Sequence, residues 1–372
     1  MRARVFTACA LVAACGGERR APAPGLPTTV GSDGGDAAGG ALGVASDVAD
    51  VPDVASDGCG TPTADPPITS HGGVAGLGHH LYWFAGTDGA PTTRARRFDV
   101  RTRRWETLPE PDGARIHPAV VAAGGALYVI GGVSGSFLGM SDIHRFDPAA
   151  CEWRHVGALP WAPGSAQATA VGDRIVVAGG RIDNRAGSLY TLEIWSSDQS
   201  AVLDTSGTIL PLSPLAQARN DGAAVTVGDA AWVLGGNVVP KGVDTIGRGT
   251  DDVEILAAGA TTWTAGPSLP FSAEVFAVAL PDRTVVAFGR GVLESRAPAI
   301  LDPGKTTWRT GQKRDAKLEF LEGAAVIDGV IYLLGNEITG GLSNPAPDIY
   351  RVATYDPRTD RWTIVNEVVA DG

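Results

Sequence analysis

The chain has 372 residues, 50 of them glycine, with nine tryptophans among 24 aromatics and a formal net charge of −11. That length suits one large domain with an extension, and abundant glycine beside valine-rich runs points to many short strands and tight turns. The acidic balance excludes a nucleic-acid or anionic-lipid partner, either of which needs a basic stripe.

Residues 1–14 predict an export signal. Arg2 and Arg4 form a positive start, and the apolar run Val5 to Ala14 falls well short of the ~20 residues a membrane-spanning helix needs. The run ends Val12-Ala13-Ala14-Cys15, which resembles the lipobox of bacterial lipoproteins. The resemblance implies that Cys15 is lipidated and becomes the new N-terminus, with Cys9 lost. Its acyl chains would tether the protein to a membrane. Gly16 and Gly17 follow where that family places Asp for inner-membrane retention, which implies an outer-membrane address in a Gram-negative source. Residues 15–66 are mostly Gly, Ala, Pro, Asp, Ser and Thr, and such a composition cannot offset the entropy of ordering. A lipidated, disordered spacer is predicted there, followed by a folded domain over 67–366. Cys59 and Cys151 are then either one disulfide in an oxidising compartment or two unpaired thiols, since spacing does not show whether their Cα atoms come within bridging distance.

From about Ser70 onward the sequence repeats. An apolar strand ends in a glycine column six times: Ala85-Gly86, Gly131-Gly132, Gly179-Gly180, Gly235-Gly236, Gly289-Arg290 and Gly335-Asn336. A large apolar residue with Asp follows at Phe98-Asp99, Phe146-Asp147, Leu203-Asp204, Leu301-Asp302 and Tyr355-Asp356, with Leu256-Ala257 as the exception. Six positions after the second residue of each pair stand Trp105, Trp153, Leu210, Trp263, Trp308 and Trp362. The Trp column lies 26, 26, 25, 26 and 27 residues ahead of the next glycine column, whereas the distance from glycine to Asp varies from 13 to 25. The constant part is packed framework and the variable part is loop.

These columns resemble the kelch repeat. The resemblance implies an all-β, six-bladed kelch-type β-propeller, in which six complete blades would close without a strand shared between the chain's two ends. Cys59 falls 26 residues before Ala85, at the phase of the Trp column, and could begin an extra outer strand, but the residues before it lack a core pattern. Its glycines allow positive φ where a strand turns, Asp-Pro pairs make turns, and each indole packs between blades. The Asp column is therefore read as structural rather than catalytic.

In a propeller of this kind, the loops leading into the inner strands and those after the glycine column share one face. That face takes the long insertions Arg181–Ser200, Asn237–Asp252 and Asn336–Asp348. It also gathers the candidate ligand contacts Arg115, Arg181, Arg219, Asn220, Asn237, Arg290, Glu322 and Asn336, with His117, Asp221, Glu274 and Glu319 beside them at the entries to the inner strands, a set suited to an anionic or polyhydroxylated ligand or an acidic peptide. A copper site like that of galactose oxidase is excluded, because all six histidines (His71, His79, His80, His117, His144, His155) fall in the first two copies. No Cys/His cluster has zinc spacing, and no nucleophile elbow, phosphate loop or dinucleotide fingerprint is present. The expectation is a monomeric, envelope-anchored, non-catalytic binding or scaffolding lipoprotein without cofactor or metal, recognising a protein or glycan through its loop face. The alternative is a carbohydrate-active propeller of the sialic-acid mutarotase type, with Glu322 beside Arg219 or Arg290 in the working roles.

Overall fold

The computed structural model describes residues 58–63, 69–184, 193–204, 206–242, 247–290, 297–314, 317–337 and 349–369. The chain divides into Met1–Val54 and Ala55–Gly372, and every described residue lies in the second unit. The export signal, Cys15 and most of the spacer lie outside the described residues.

Among the described residues there is no α-helix, and most strands fall into six antiparallel sheets, each built from neighbours in sequence. The innermost strands are Gly73–Leu77, Ala119–Ala123, Gln167–Val171, Ala223–Val227, Val275–Ala279 and Phe320–Ile327. Each packs beside the next, and the last packs beside the first, so the six sheets form a ring around a central channel of about 470 Å³. Alanine, glycine and valine dominate these strands because they converge at the axis: a Cβ at Gly323 would collide with Val74, and one at Gly73 with Val120. The second strands, such as His80–Phe84, Ala126–Ile130 and Val285–Gly289, are buried throughout. Neighbouring sheets cover both of their faces, which is why they read as unbroken apolar runs rather than alternating ones.

The glycine column has a repeated job. Its first residue is left-handed in four copies, with φ of 65° at Ala85, 62° at Gly131, 64° at Gly179 and 56° at Gly235. The turn strips that residue's carbonyl from the ladder, and a side chain caps it each time. Thr69 Oγ1 donates to Ala85 O (2.6 Å), Arg115 to Gly131 O (3.0 Å), Trp161 Nε1 to Gly179 O (3.1 Å) and Arg219 to Gly235 O (3.2 Å). In the fifth copy the strand Val285–Gly289 reaches the column without such a turn, and in the sixth Val330–Glu337 runs straight through it. Arg314 caps Gly289 O (2.8 Å).

The Trp column joins five of the six sheets to the one before it. Trp153 Nε1 donates to Pro109 O, Trp263 to Ser200 Oγ, Trp308 to Pro267 O, Trp362 to Gln312 O and Trp105 to Asn366 Oδ1, the last spanning the sixth and first sheets. Leu210, standing in the Trp column of the third sheet, is 55% exposed and has no side-chain donor for such a bridge.

Closure differs from the expected boundaries at both ends. Thr61–Thr63 pairs with Arg104–Thr107 as a fifth, outermost strand of the first sheet, so residues assigned to the spacer are folded. The phase of Cys59 allowed such a strand, and the lack of an apolar pattern around it argued for spacer instead, but backbone pairing suffices there. Cys59 and Cys151 form a disulfide, with Cα atoms 5.1 Å apart, that ties this edge to a turn of the second sheet. At the other end the last strand continues to Val369.

Candidate functional site

One opening of the channel is built from equivalent positions in the repeat. His71, His117, Ser165 and Asp221 each stand two residues ahead of an inner strand, fourteen before the glycine column. All four adopt left-handed backbone, with φ of 63°, 55°, 51° and 53°. Such conformations are disfavoured for residues with a side chain and persist where surrounding structure enforces them. The enforcing contacts are inter-sheet backbone hydrogen bonds. His117 N donates to His71 O (2.8 Å), Ser165 N to His117 O (2.7 Å), Asp221 N to Ser165 O (3.2 Å) and Val275 N to Asp221 O (3.1 Å).

The fifth and sixth sheets continue the chain of bonds differently. Arg290 N donates to Glu274 O (3.0 Å) and Leu321 N to Arg290 O (2.9 Å). The circle closes where His71 N donates to the carboxylate of Glu322 (3.0 Å). A register shift between Leu321 and Gly323 singles out Glu322, which is 4% exposed, so a side chain stands in for the backbone acceptor used elsewhere.

Side chains from all six sheets therefore meet in a recess of about 100 Å³ lined by His71, His117, Ser165, Asp221, Glu274, Arg290 and Glu322. Arg290 donates to Glu274 (3.2 Å) and to Glu322 (3.3 Å), and Asn237 Nδ2 donates to the other oxygen of Glu274 (3.0 Å). The His71 and His117 rings meet edge to face at 4.6 Å, and His117 Nδ1 lies 3.9 Å from Asp221. Burial, reinforced by Arg290 and Arg181, lowers His71 to a pKa of about 3. Burial, His71 and the same arginines hold His117 well below its ordinary value. Both imidazoles are neutral at neutral pH. Burial and the nearby Asp221 raise the Glu274 carboxyl, against the opposing pull of Arg290. Burial alone would lower Arg290, but Glu322, Glu274 and Asp221 outweigh it and hold the guanidinium charged.

The residues picked out from the sequence divide into two groups. Arg290 and Glu322 do line the recess, and Asn237 reaches it through its bond to Glu274. Arg181 lies near enough to act on both imidazoles and pairs with Asp183 at 3.3 Å. Arg115 and Arg219 do not face a ligand. They are 1% and 0% exposed, and they cap glycine carbonyls while pairing with Asp142 and Glu254, both at 2.7 Å. An arginine there satisfies several carbonyls at once, and that demand turns it inward. Asn220 is buried and donates to Ser196 Oγ (2.8 Å), while Asn336 lies in the second strand of the sixth sheet, 5% exposed. Of the long insertions, 181–183 and 194–196 form a small sheet with 163–164, and 237–238 pairs with 248–249. Most of Asn336–Asp348 lies outside the described residues. Sequence reasoning misses His71 and Ser165 as lining residues and Arg314 as a cap. The fixed distance from the glycine column could have found the first two, whereas nothing local marks Arg314.

This fold, with its repeated glycine, Asp and Trp columns, defines an all-β propeller built from kelch repeats. Residues 114–160 match the family model described as Kelch motif. Kelch-like protein 34 of Homo sapiens is 24% identical over 210 residues, covering 53% of this chain and 29% of that protein. Kelch repeat and BTB domain-containing protein 13 of Homo sapiens is 35% identical over 91 residues, covering 24% of this chain and 20% of that protein. The chain thus spans less than a third of the length of either relative. The solved structure of YjhT is similar over 82% of this chain and 99% of its own, with a TM-score of 0.65 at 17% identity, a likeness of fold. The kelch motif at residues 114–160 and the similarity to kelch proteins support reading the chain's repeats as kelch repeats.

Proposed function

We propose that the protein is a six-bladed binding module that recognises its ligand at the channel opening, without catalysis. The observation that carries this reading is the recess itself, where His71 Nδ1 and Ser165 Oγ have no partner among the described residues although both atoms are buried. A buried polar atom left unpaired costs about 1–3 kcal/mol, so such atoms favour a ligand that completes them. Three carboxylates line the recess against one guanidinium that is already doubly paired. That charge favours a polyhydroxylated ligand or a polypeptide loop over an anionic one. Kelch relatives support protein binding as the general mode. The test is to screen glycans and envelope proteins against the purified domain, then to compare wild type with Ser165→Ala and His71→Gln. Affinity should fall roughly tenfold in either variant; unchanged binding in both would move the ligand away from the recess.

The same reading places the protein in the cell envelope, lipidated on Cys15 and facing an oxidising compartment, as a monomer. The Cys59–Cys151 disulfide supports that compartment. Replacing Cys15 by Ser should release the protein from the membrane fraction.

One observation favours the alternative of a mutarotase-type enzyme. Glu274 holds its proton to higher pH than an ordinary carboxylate and sits beside Arg290, a pairing suited to general acid–base work on a sugar ring. Anomer exchange of sialic acid followed by NMR decides between the readings. Exchange that disappears in Glu274→Gln would replace the binding module with an enzyme.

A further inference from the structure

His79 and His80 sit at the hairpin following the first inner strand, at the opposite end of that strand from the recess and so about 17 Å away for five extended residues. His80 is the ladder partner of Asp99, and Val100 N donates to His79 O (3.0 Å), so backbone bonds fix all three residues. The imidazole rings lie 4.3 Å apart, tilted by 36°. Their Nε2 atoms are 3.8 and 3.7 Å from the same oxygen, Asp99 Oδ2, and the three ligand atoms lie within 4.8 Å of one another.

Those separations are too long for hydrogen bonds, which fall near 2.7–3.2 Å. The two nitrogen–oxygen distances are close to the edge of a tetrahedron around zinc, roughly 3.3–3.6 Å for metal–ligand distances of about 2.0–2.2 Å. The other carboxylate oxygen is already committed: Asp99 Oδ1 accepts from Arg101 N (2.7 Å) and Thr102 N (3.1 Å), which aims Oδ2 at the imidazoles. Outer bonds of this kind orient metal ligands. His80 and Asp99 are buried while the His79 side chain is 30% exposed, so the cluster opens to solvent on one side. A second histidine–carboxylate pair, in the next sheet, differs. His144 Nε2 and Asp142 Oδ2 are 2.6 Å apart, a hydrogen bond that leaves no room for an ion between them.

We infer that His79, His80 and Asp99 form a site for a divalent transition-metal ion, zinc being the best match, with water as the remaining ligand. Two nitrogens and one carboxylate oxygen suit zinc, whereas calcium and magnesium prefer all-oxygen surroundings.

Full-length protein carrying no histidine tag, stripped with chelator and dialysed, is titrated with zinc by calorimetry and with cobalt by visible absorption. Wild type should take a single ion at this site and give the strong d–d bands of tetrahedral cobalt. His79→Ala and His80→Ala should each weaken binding at least about tenfold, and His155→Ala should leave it unchanged. Circular dichroism confirms that the variants are folded, and having two separate ligand variants guards against failure of one. The absence of binding, binding that survives both substitutions, or binding lost in His155→Ala would overturn the assignment.

Discussion

The first four copies of the repeat and the last two reach the same opening by different means. In copies one to four the chain turns left-handed at the glycine column and again before the inner strand, and the residue at that second turn faces the recess. In copies five and six the left-handed turn at the glycine column is absent, and the opening instead receives Glu274, Arg290 and Glu322. The regular copies supply a scaffold with two imidazoles, a hydroxyl and a single carboxylate at its lip. The irregular copies supply the denser charge. Where the repeat departs from its own pattern, the backbone no longer dictates the residue, and chemistry particular to this protein can occupy the position.

The contrast is sharpest between two arginines. Arg219 caps a regular copy and is fully buried, so Arg219→Ala strands Glu254 without its partner and should destabilise the fold by about 3–5 kcal/mol in denaturant unfolding. A loss below about 1 kcal/mol, the scale of an exposed pair, would remove the distinction between framework and opening. The disulfide belongs to the regular half and joins residues 92 positions apart, and Cys59→Ser should cost about 2–4 kcal/mol by the same measurement. Arg290 lies at the opening, where its own side chain and that of Glu274 are partly exposed, so Arg290→Ala should cost less than Arg219→Ala in the same measurement while altering ligand binding.

The imidazoles of the lip give a pH signature. An imidazole in the unfolded chain takes its proton near 6.5, whereas His71 in the fold resists until about 3. Between those values the unfolded state binds more protons, so stability is complete above the upper value and declines as pH falls toward the lower one. The slope is at most about 1.4 kcal/mol per pH unit for each imidazole, and His71→Gln or His117→Gln should flatten it. The smallest expected effect tests the glycine column itself. Ala85 holds a left-handed φ where the next three copies have glycine, so Ala85→Gly should stabilise by about 0.5–1 kcal/mol, read as a rise in melting temperature.

The repeat was legible in the sequence because each column answers a local demand of the backbone. Glycine fits left-handed turns, Asp-Pro fits tight ones, and an indole spans the gap between sheets, so spacing alone placed six sheets and the face that bears the long loops. It also put Arg290 and Glu322 on one face, since the glycine column and the entry to an inner strand open on the same side. Sequence spacing did not separate arginines that turn inward from the one that reaches the recess, because that choice depends on which carbonyls a distant glycine leaves uncapped. Thr61–Thr63 was marked in the sequence only by the phase of Cys59, as an edge strand held by backbone pairing needs no apolar pattern. The closing bond from His71 N to Glu322 joins residues 251 positions apart. The cluster of His79, His80 and Asp99 escaped a search for Cys/His spacing because strand pairing, not sequence proximity, brings in its third ligand. Local conformational preference thus wrote the framework into the sequence, while the ring's closure and the side chains that share its openings were decided only when the first and last sheets met.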